Sequence, residues 1–289
     1  MVYFLGLLSA FIFALGLALQ QRGTLATAAP EGDPRFLRQI LRKPAWLLGC
    51  VMLFGGWVAQ AGALNHGSLA LVQSLQALSL VFALPLGWWL TKQHVGPRAA
   101  GGAGATVLGI VLLTVLGQPT GGTNTPAAAS WFIAGAVILC LIVILVLLAW
   151  RLRGSAPAAL YGCAAGLAFA FQAGATKMLV AQFDRGFGTI FLHWPLYAFA
   201  LAELVGFTLQ QAALKCGLLA PATAALNAGT LVMSVALGLA VFRESLSGGP
   251  GRQLPALAGL IIAVIGVVVL ASSGHRHPDA QTACNRPGP

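Results

Sequence analysis

The sequence predicts an all-α, polytopic membrane protein with nine transmembrane helices in a 4+1+4 inverted repeat. Three observations carry that prediction. Of 289 residues, 58% are hydrophobic and only 8% are charged, with a mean hydropathy of +0.86, far from the balance of a water-soluble domain. Apolar runs of about 20 residues, the length a helix needs to cross the hydrocarbon, recur from Val2 almost to the C-terminus. Segments of the first half also return in the second, in the same order.

In order, the expected spans are Val2–Gln20, Pro44–Leu64, Gly67–Thr91, Ala99–Gly117, Ser130–Trp150, Pro157–Leu179, Gly186–Leu214, Gly217–Phe242 and Leu254–Ser272. Each is continuous and about twice the length of the ten-residue alternating strands of an outer-membrane barrel, so a barrel does not fit. The first span lacks a basic leader and is followed at once by Arg22, so it reads as a helix and not as a signal peptide ending at Ala26–Ala29. The stretch Gln21–Lys43 contains "RFLRQILRK", the pattern of a short amphipathic helix on the membrane surface. "QPTGGTNTPAAAS" (Gln118–Ser130) reads as an uncharged flexible link. Pro195 is expected to kink the seventh span, and His193 beside Trp194 to lie at the interface. Trp46, Trp88, Trp89, Trp131 and Trp150 stand at span ends, as interfacial anchors do. Residues 275–289, "HRHPDAQTACNRPGP", have the composition of a disordered cytoplasmic tail, with His275 and His277 solvated. Cys50, Cys140, Cys163, Cys216 and Cys284 show neither a CxxC pair nor metal-ligand spacing and read as small apolar fillers.

The formal net charge is +10, and it follows the loops. With the N-terminus outside, Arg22, Arg35, Arg38, Arg42, Lys43, Lys92, Arg98, Arg151, Arg153, Lys215, Arg276 and Arg286 lie inside, and Lys177, Arg185, Arg243 and Arg252 outside. That bias is an orientation signal placing the C-terminus in the cytoplasm of a plasma-membrane protein, and it also meets anionic headgroups of the lipid bilayer. No nucleic-acid motif accompanies it.

The internal repeat is legible at three places. "QAGALNHGSLA" (Gln60–Ala70) aligns on "QQAALKCGLLA" (Gln210–Ala220) at an offset of 150, and "AFIFALG" (Ala10–Gly16) on "AFAFQAG" (Ala168–Gly174) at 158. At offset 157, Gly102, Gly109 and Gly117 align with Gly259, Gly266 and Gly274. Spans one to four (repeat A, about residues 2–117) therefore correspond to spans six to nine (repeat B, about 157–274), with a linking helix over about 130–150. A displacement of five spans is odd, so the repeats are inverted, the arrangement used by transporters that open a central site alternately to each side.

Two segments, "GALNHGSLALVQSLQALSLVFALPLGWWL" and "AALKCGLLAPATAALNAGTLVMSVALGLAVFRESL", resemble the paired helix-loop-helix signature of the drug/metabolite transporter (DMT) superfamily. In that signature "AL" precedes a small-residue turn and the second copy ends in a glutamate, here Glu244. "ALQQRG" (Ala18–Gly23) and "LQQAALKCG" (Leu209–Gly217) are most similar to the NIPA-type magnesium transporter branch and its bacterial relatives. The resemblance implies transport of a small molecule or cation. That branch carries a glutamate after a glycine in its second span, whereas this sequence reads "FGGWVAQAGAL" (Phe54–Leu64), with Gly56 or Trp57 in the acid's place.

Glu203 is the one acid deep within an expected span; Glu31, Asp33, Asp184, Glu244 and Asp279 fall in loops, at helix ends or in the tail. A charge at the bilayer centre costs about 2.5–3.5 kcal/mol on insertion scales, so such a residue is a functional candidate, able to take up a proton or exchange it for a cation. Helical spacing puts Gly206 and Gln210 on its face. In the eighth span Thr223, Asn227, Thr230 and Ser234 make a second polar stripe, suited to holding a solute or to joining helices. Gln73, Gln76 and Ser79 in span three and Gln172 in span six complete the candidates for substrate or ion binding. Magnesium takes one or two carboxylates with retained waters, so Glu203 alone neither requires nor excludes it. The strip Gly101, Ala105, Gly109 suits close packing within the fold or in a homodimer.

The expected function is secondary transport by alternating access, with Glu203 as the proton or cation site. No ATPase motif, cofactor motif or convergent catalytic set is present, so an enzyme is not expected. A non-transporting accessory or scaffold protein is the competing class.

Overall fold

The computed structural model describes residues 1–25, 42–82, 85–86, 96–152, 156–182, 191, 193–215, 219–246 and 250–272. Among these the protein is almost wholly helical: α1 (Val2–Leu25), α2 (Pro44–His66), α3 (Leu69–Ala77), α4 (Pro97–Gly117), α5 (Ala128–Arg151), α6 (Ala156–Val180), α7 (Trp194–Lys215), α8 (Leu219–Ala240) and α9 (Pro250–Ser272). Two short strands, β1 (Pro119–Gly121) and β2 (Glu244–Leu246), complete it. Six helices (α1, α2, α4, α5, α6 and α9) are long and apolar enough to span a bilayer, which makes this a polytopic membrane protein of the all-α class. The expectations for most of Gln21–Lys43, for Trp88 and Trp89, and for the tail lie outside the described residues.

The helix ends follow local chemistry. Pro44 and Pro97 sit in the first turns of α2 and α4, where the missing N–H costs nothing. Ser68 caps α3, its hydroxyl accepting from Leu71 N–H at 3.2 Å. Pro195 likewise falls in the first turn of α7, so it starts that helix and does not kink a longer one.

Burial ranks the helices. α6 is 67% buried within the bundle and α5 only 17%, so α6 is the centre and α5 a lipid-facing link. α1 packs on α2 and α3 as α6 packs on α7 and α8; α2 meets α3 as α7 meets α8; and α3 meets α4 as α8 meets α9. α3 also packs on α8, and α4 on α9. The pairs named here exchange when helices one to four are swapped for six to nine, whereas α6 packs on α2, α3 and α5 more extensively than α1 packs on the matching α7, α8 and α5.

The α4–α9 contact depends on glycine. A Cβ added to Gly109 would fall 2.5 Å from the Gly259 carbonyl, and one added to Gly266 would fall 2.8 Å from the Gly102 carbonyl. The absence of side chains lets the backbones touch. The strip used is thus Gly102, Thr106 and Gly109; Gly101 and Gly104 face open space.

β1 and β2 pair antiparallel with Pro119 opposite Leu246, Thr120 opposite Ser245 and Gly121 opposite Glu244. This clasp joins the chain after α4 to the chain after α8, so part of the expected flexible link is an ordered strand. Thr123 N–H extends it, donating to Phe242 C=O at 2.8 Å. Trp131, expected as an interfacial anchor, is instead 1% exposed: it stacks on Phe171 with centroids 4.4 Å apart and meets Phe242 edge-on at 5.9 Å. Trp150, 71% exposed, occupies the kind of position an anchor needs.

Candidate functional site

Just beyond α8 the chain turns sharply. Arg243 has φ 54°, a left-handed conformation uncommon for a side chain with a Cβ, and it redirects the next residue inward. Glu244 is buried in consequence, and so is Lys177 in the last turn of α6. Lys177 Nζ donates to Glu244 Oε1 at 2.6 Å, with the two side chains 1% and 0% exposed. The same oxygen accepts from Leu69 N–H at 2.5 Å, and Oε2 accepts from Ala70 N–H at 3.1 Å. Glu244 therefore takes up N–H groups that the first turn of α3 leaves without helical partners, where the helix dipole also favours an anion. The Lys177 ammonium lies 4.9 Å from the centroid of the Phe242 ring, an arrangement the ring quadrupole favours.

Gly122 and Gly238 flank the Glu244 side chain. Ser68, the cap of α3, also donates to Pro119 C=O of β1 at 2.8 Å. Gly122 has φ +86°, and a Cβ there would fall 2.6 Å from Phe242 O and 2.8 Å from Glu244 Cγ. The ion pair, the α3 N-terminus and the clasp thus form one fastening that joins α3 and β1 to α6 and β2.

A polar layer lies one turn below it. The position of a Gly238 Cβ is 3.5 Å from Ala70 Cβ, which fixes the register of α8 against α3. From that level, Ser234 lies about 6 Å down α8 and Gln73 about 4.5 Å down α3. Gln172 lies about 7.5 Å down α6 from Lys177. Ser234 is 0% exposed, Gln73 4% and Gln172 6%. Ser234 Oγ, Gln73 Nε2 and Gln76 Oε1 are buried without a hydrogen-bond partner, a costly state for polar atoms in a low-dielectric interior. Gln76 Nε2 donates to Ser9 Oγ at 3.0 Å, and Ser9 donates to Gly56 C=O at 2.8 Å.

The remaining sequence candidates are placed as follows. Thr230 donates to Leu226 C=O at 2.8 Å and to Gly166 C=O at 3.2 Å, joining α8 to α6. Gln172 Nε2 reaches Thr176 Oγ1 at 3.4 Å. Asn227 and Gln210 are half-buried, and the side chain of Thr223 is outside the described set. Glu203 lies on an exposed face of α7 with Leu201, Leu204 and Phe207. Gly206, expected to share a cavity wall with it, is instead buried, a Cβ there falling 2.8 Å from the Phe169 ring. The anticipated Glu203, Gly206, Gln210 wall is therefore divided between the bundle's surface and its packing. No group of three metal-ligating side chains occurs among the described residues.

Sequence reasoning put Lys177 near the end of the sixth span and Glu244 just past the eighth, and missed their pairing. One signal was available: with alternating spans, the end of the sixth, the end of the eighth and the start of the third all fall on one side of the membrane, so the two charges share a depth. The transporter-like signature ending in Glu244 pointed to the same residue.

The chain is 25% identical over 268 residues, 92% of each chain, to an uncharacterized protein of Corynebacterium glutamicum. No family model matches it, and no solved structure does.

Proposed function

We propose that this protein is a secondary transporter of the cytoplasmic membrane that moves a small solute by alternating access, with nine spans in two inverted four-helix repeats joined by α5. The observation that carries this reading is the fastening at Lys177 and Glu244. It ties elements of both repeats together at one end, directly above a layer of buried polar atoms without partners. Unpaired polar atoms are costly in a packed interior, and a bound solute satisfies them. The interchangeable helix contacts and the antiparallel α4–α9 glycine crossing support the inverted repeat. With the N-terminus outside, the fastening lies at the outer end, where it would seal the exterior side. The resemblance to the DMT superfamily agrees with this scheme. Glu203, on the outer face of α7, has no part in it.

Counterflow in proteoliposomes loaded with a panel of unlabelled solutes tests the proposal. Labelled solute should accumulate transiently against its gradient for at least one member of the panel. A folded, reconstituted protein that exchanges none of them, while binding other membrane proteins in pull-downs, is an accessory protein and not a transporter.

A further inference from the structure

We infer that the transported solute carries no formal charge where it meets the protein: it is an uncharged molecule with both hydrogen-bond donors and acceptors. The inference rests on the transport reading and narrows it to a substrate class.

The layer offers an amide N–H donor at Gln73 and a hydroxyl at Ser234 that can serve as either, and the half-buried Gln76, a turn further down α3, adds an amide oxygen; none of these three atoms has a partner. Among the described residues, the charged side chains buried inside the bundle are Lys177 and Glu244, and they neutralise each other one turn away. Glu203 is exposed on the outer face, and Arg98, Arg151, Arg243 and Arg252 are exposed near helix or strand ends. An ion seated in the layer would find dipoles without a countercharge, and a buried charge without a partner is strongly disfavoured. An uncharged polyol, amide or nucleoside-like molecule leaves no such debt and brings donors and acceptors for these atoms. A site built for hydrogen bonding also rejects apolar molecules of the same shape, because its own groups would stay unpaired. The same logic weighs against magnesium, whose sites use carboxylates.

The full-length protein in proteoliposomes is tested by counterflow with two sets of probes. The uncharged set is glycerol, myo-inositol, glucose and uridine; the charged set is magnesium, tetramethylammonium, succinate and zwitterionic alanine. Exchange confined to the uncharged set is expected, with apparent affinity reduced about three- to tenfold by Ser234→Ala and by Gln73→Leu, as befits loss of one neutral hydrogen bond. Ser234→Ala removes one buried oxygen and keeps the inference testable if Gln73→Leu does not fold. Exchange of charged probes alone overturns the inference and leaves the transport reading standing. Exchange of uncharged probes at unchanged affinity in the folded variants overturns the assignment to this layer. A folded protein that exchanges neither set overturns both.

Discussion

Glu244 Oε1 lies 2.6 Å from Lys177 Nζ and 2.5 Å from Leu69 N, so one carboxylate oxygen binds a side chain of α6 and the first turn of α3 at once. A buried pair held in this way contributes specificity more than net stability: its attraction is offset by the cost of removing both charges from water, whereas removing one partner strands the other. Lys177→Met and Glu244→Leu should each destabilise the protein by about 3–5 kcal/mol. The double substitution should be markedly more stable than either single. Thermal unfolding of the four proteins in detergent measures this; additive losses in the double variant would contradict a coupled pair.

The turn that presents Glu244 gives two substitutions of opposite sign. Arg243 occupies a left-handed conformation (φ 54°), so Arg243→Gly relieves backbone strain and should stabilise by about 0.5–1 kcal/mol after its entropic cost. Gly122→Ala meets both a positive φ and backbone atoms of Phe242 and Glu244 and should destabilise by more than about 1 kcal/mol. Melting temperatures moving in the same direction would refute the geometry.

Helix contact at α4 and α9 predicts a contrast within one helix. Gly109→Leu drives a side chain into the α9 backbone and should abolish recovery of monodisperse protein, as should Gly266→Val. Gly101→Val and Gly104→Leu extend into open space and should be tolerated. Size-exclusion profiles of the four variants decide the matter.

Much of this fold was legible because apolar length, proline and glycine act locally. Long apolar runs gave the helices, and Pro44 marked one start; Pro97 opens α4 two residues ahead of the expected Ala99. What escaped depends on residues far apart in sequence. Trp131 lies at the start of a span, where tryptophan often anchors, but the clasp brings Phe242 against it. β1 and β2 have three residues each, too few for alternation to show. Glu203 could be placed at mid-span but not on a face, since α7 carries apolar residues all round and only tertiary packing selects the outer side.

That placement is measurable. A spin label at Glu203→Cys, in a background without native cysteines, should be strongly relaxed by oxygen dissolved in the bilayer. A label at Ser234→Cys should be shielded. Equal oxygen accessibility at the two positions would place Glu203 inside the bundle.

Orientation is tested in the same background. A membrane-impermeant maleimide added outside intact cells should modify cysteine at Asn124, beside the clasp, and not at Gln39. The opposite result would put the fastening on the cytoplasmic side.

The contact of Gly109 with Gly259 repeats as the contact of Gly266 with Gly102, so at this crossing the α4–α9 pair looks the same after being turned end over end. The joint is matched in its glycines but not in their neighbours, for Gly109 faces Ala263 where Gly266 faces Thr106. On the transport reading proposed above, the clasp and its ion pair, which have no counterpart among the described residues at the other end, are what would weight one resting direction over the other.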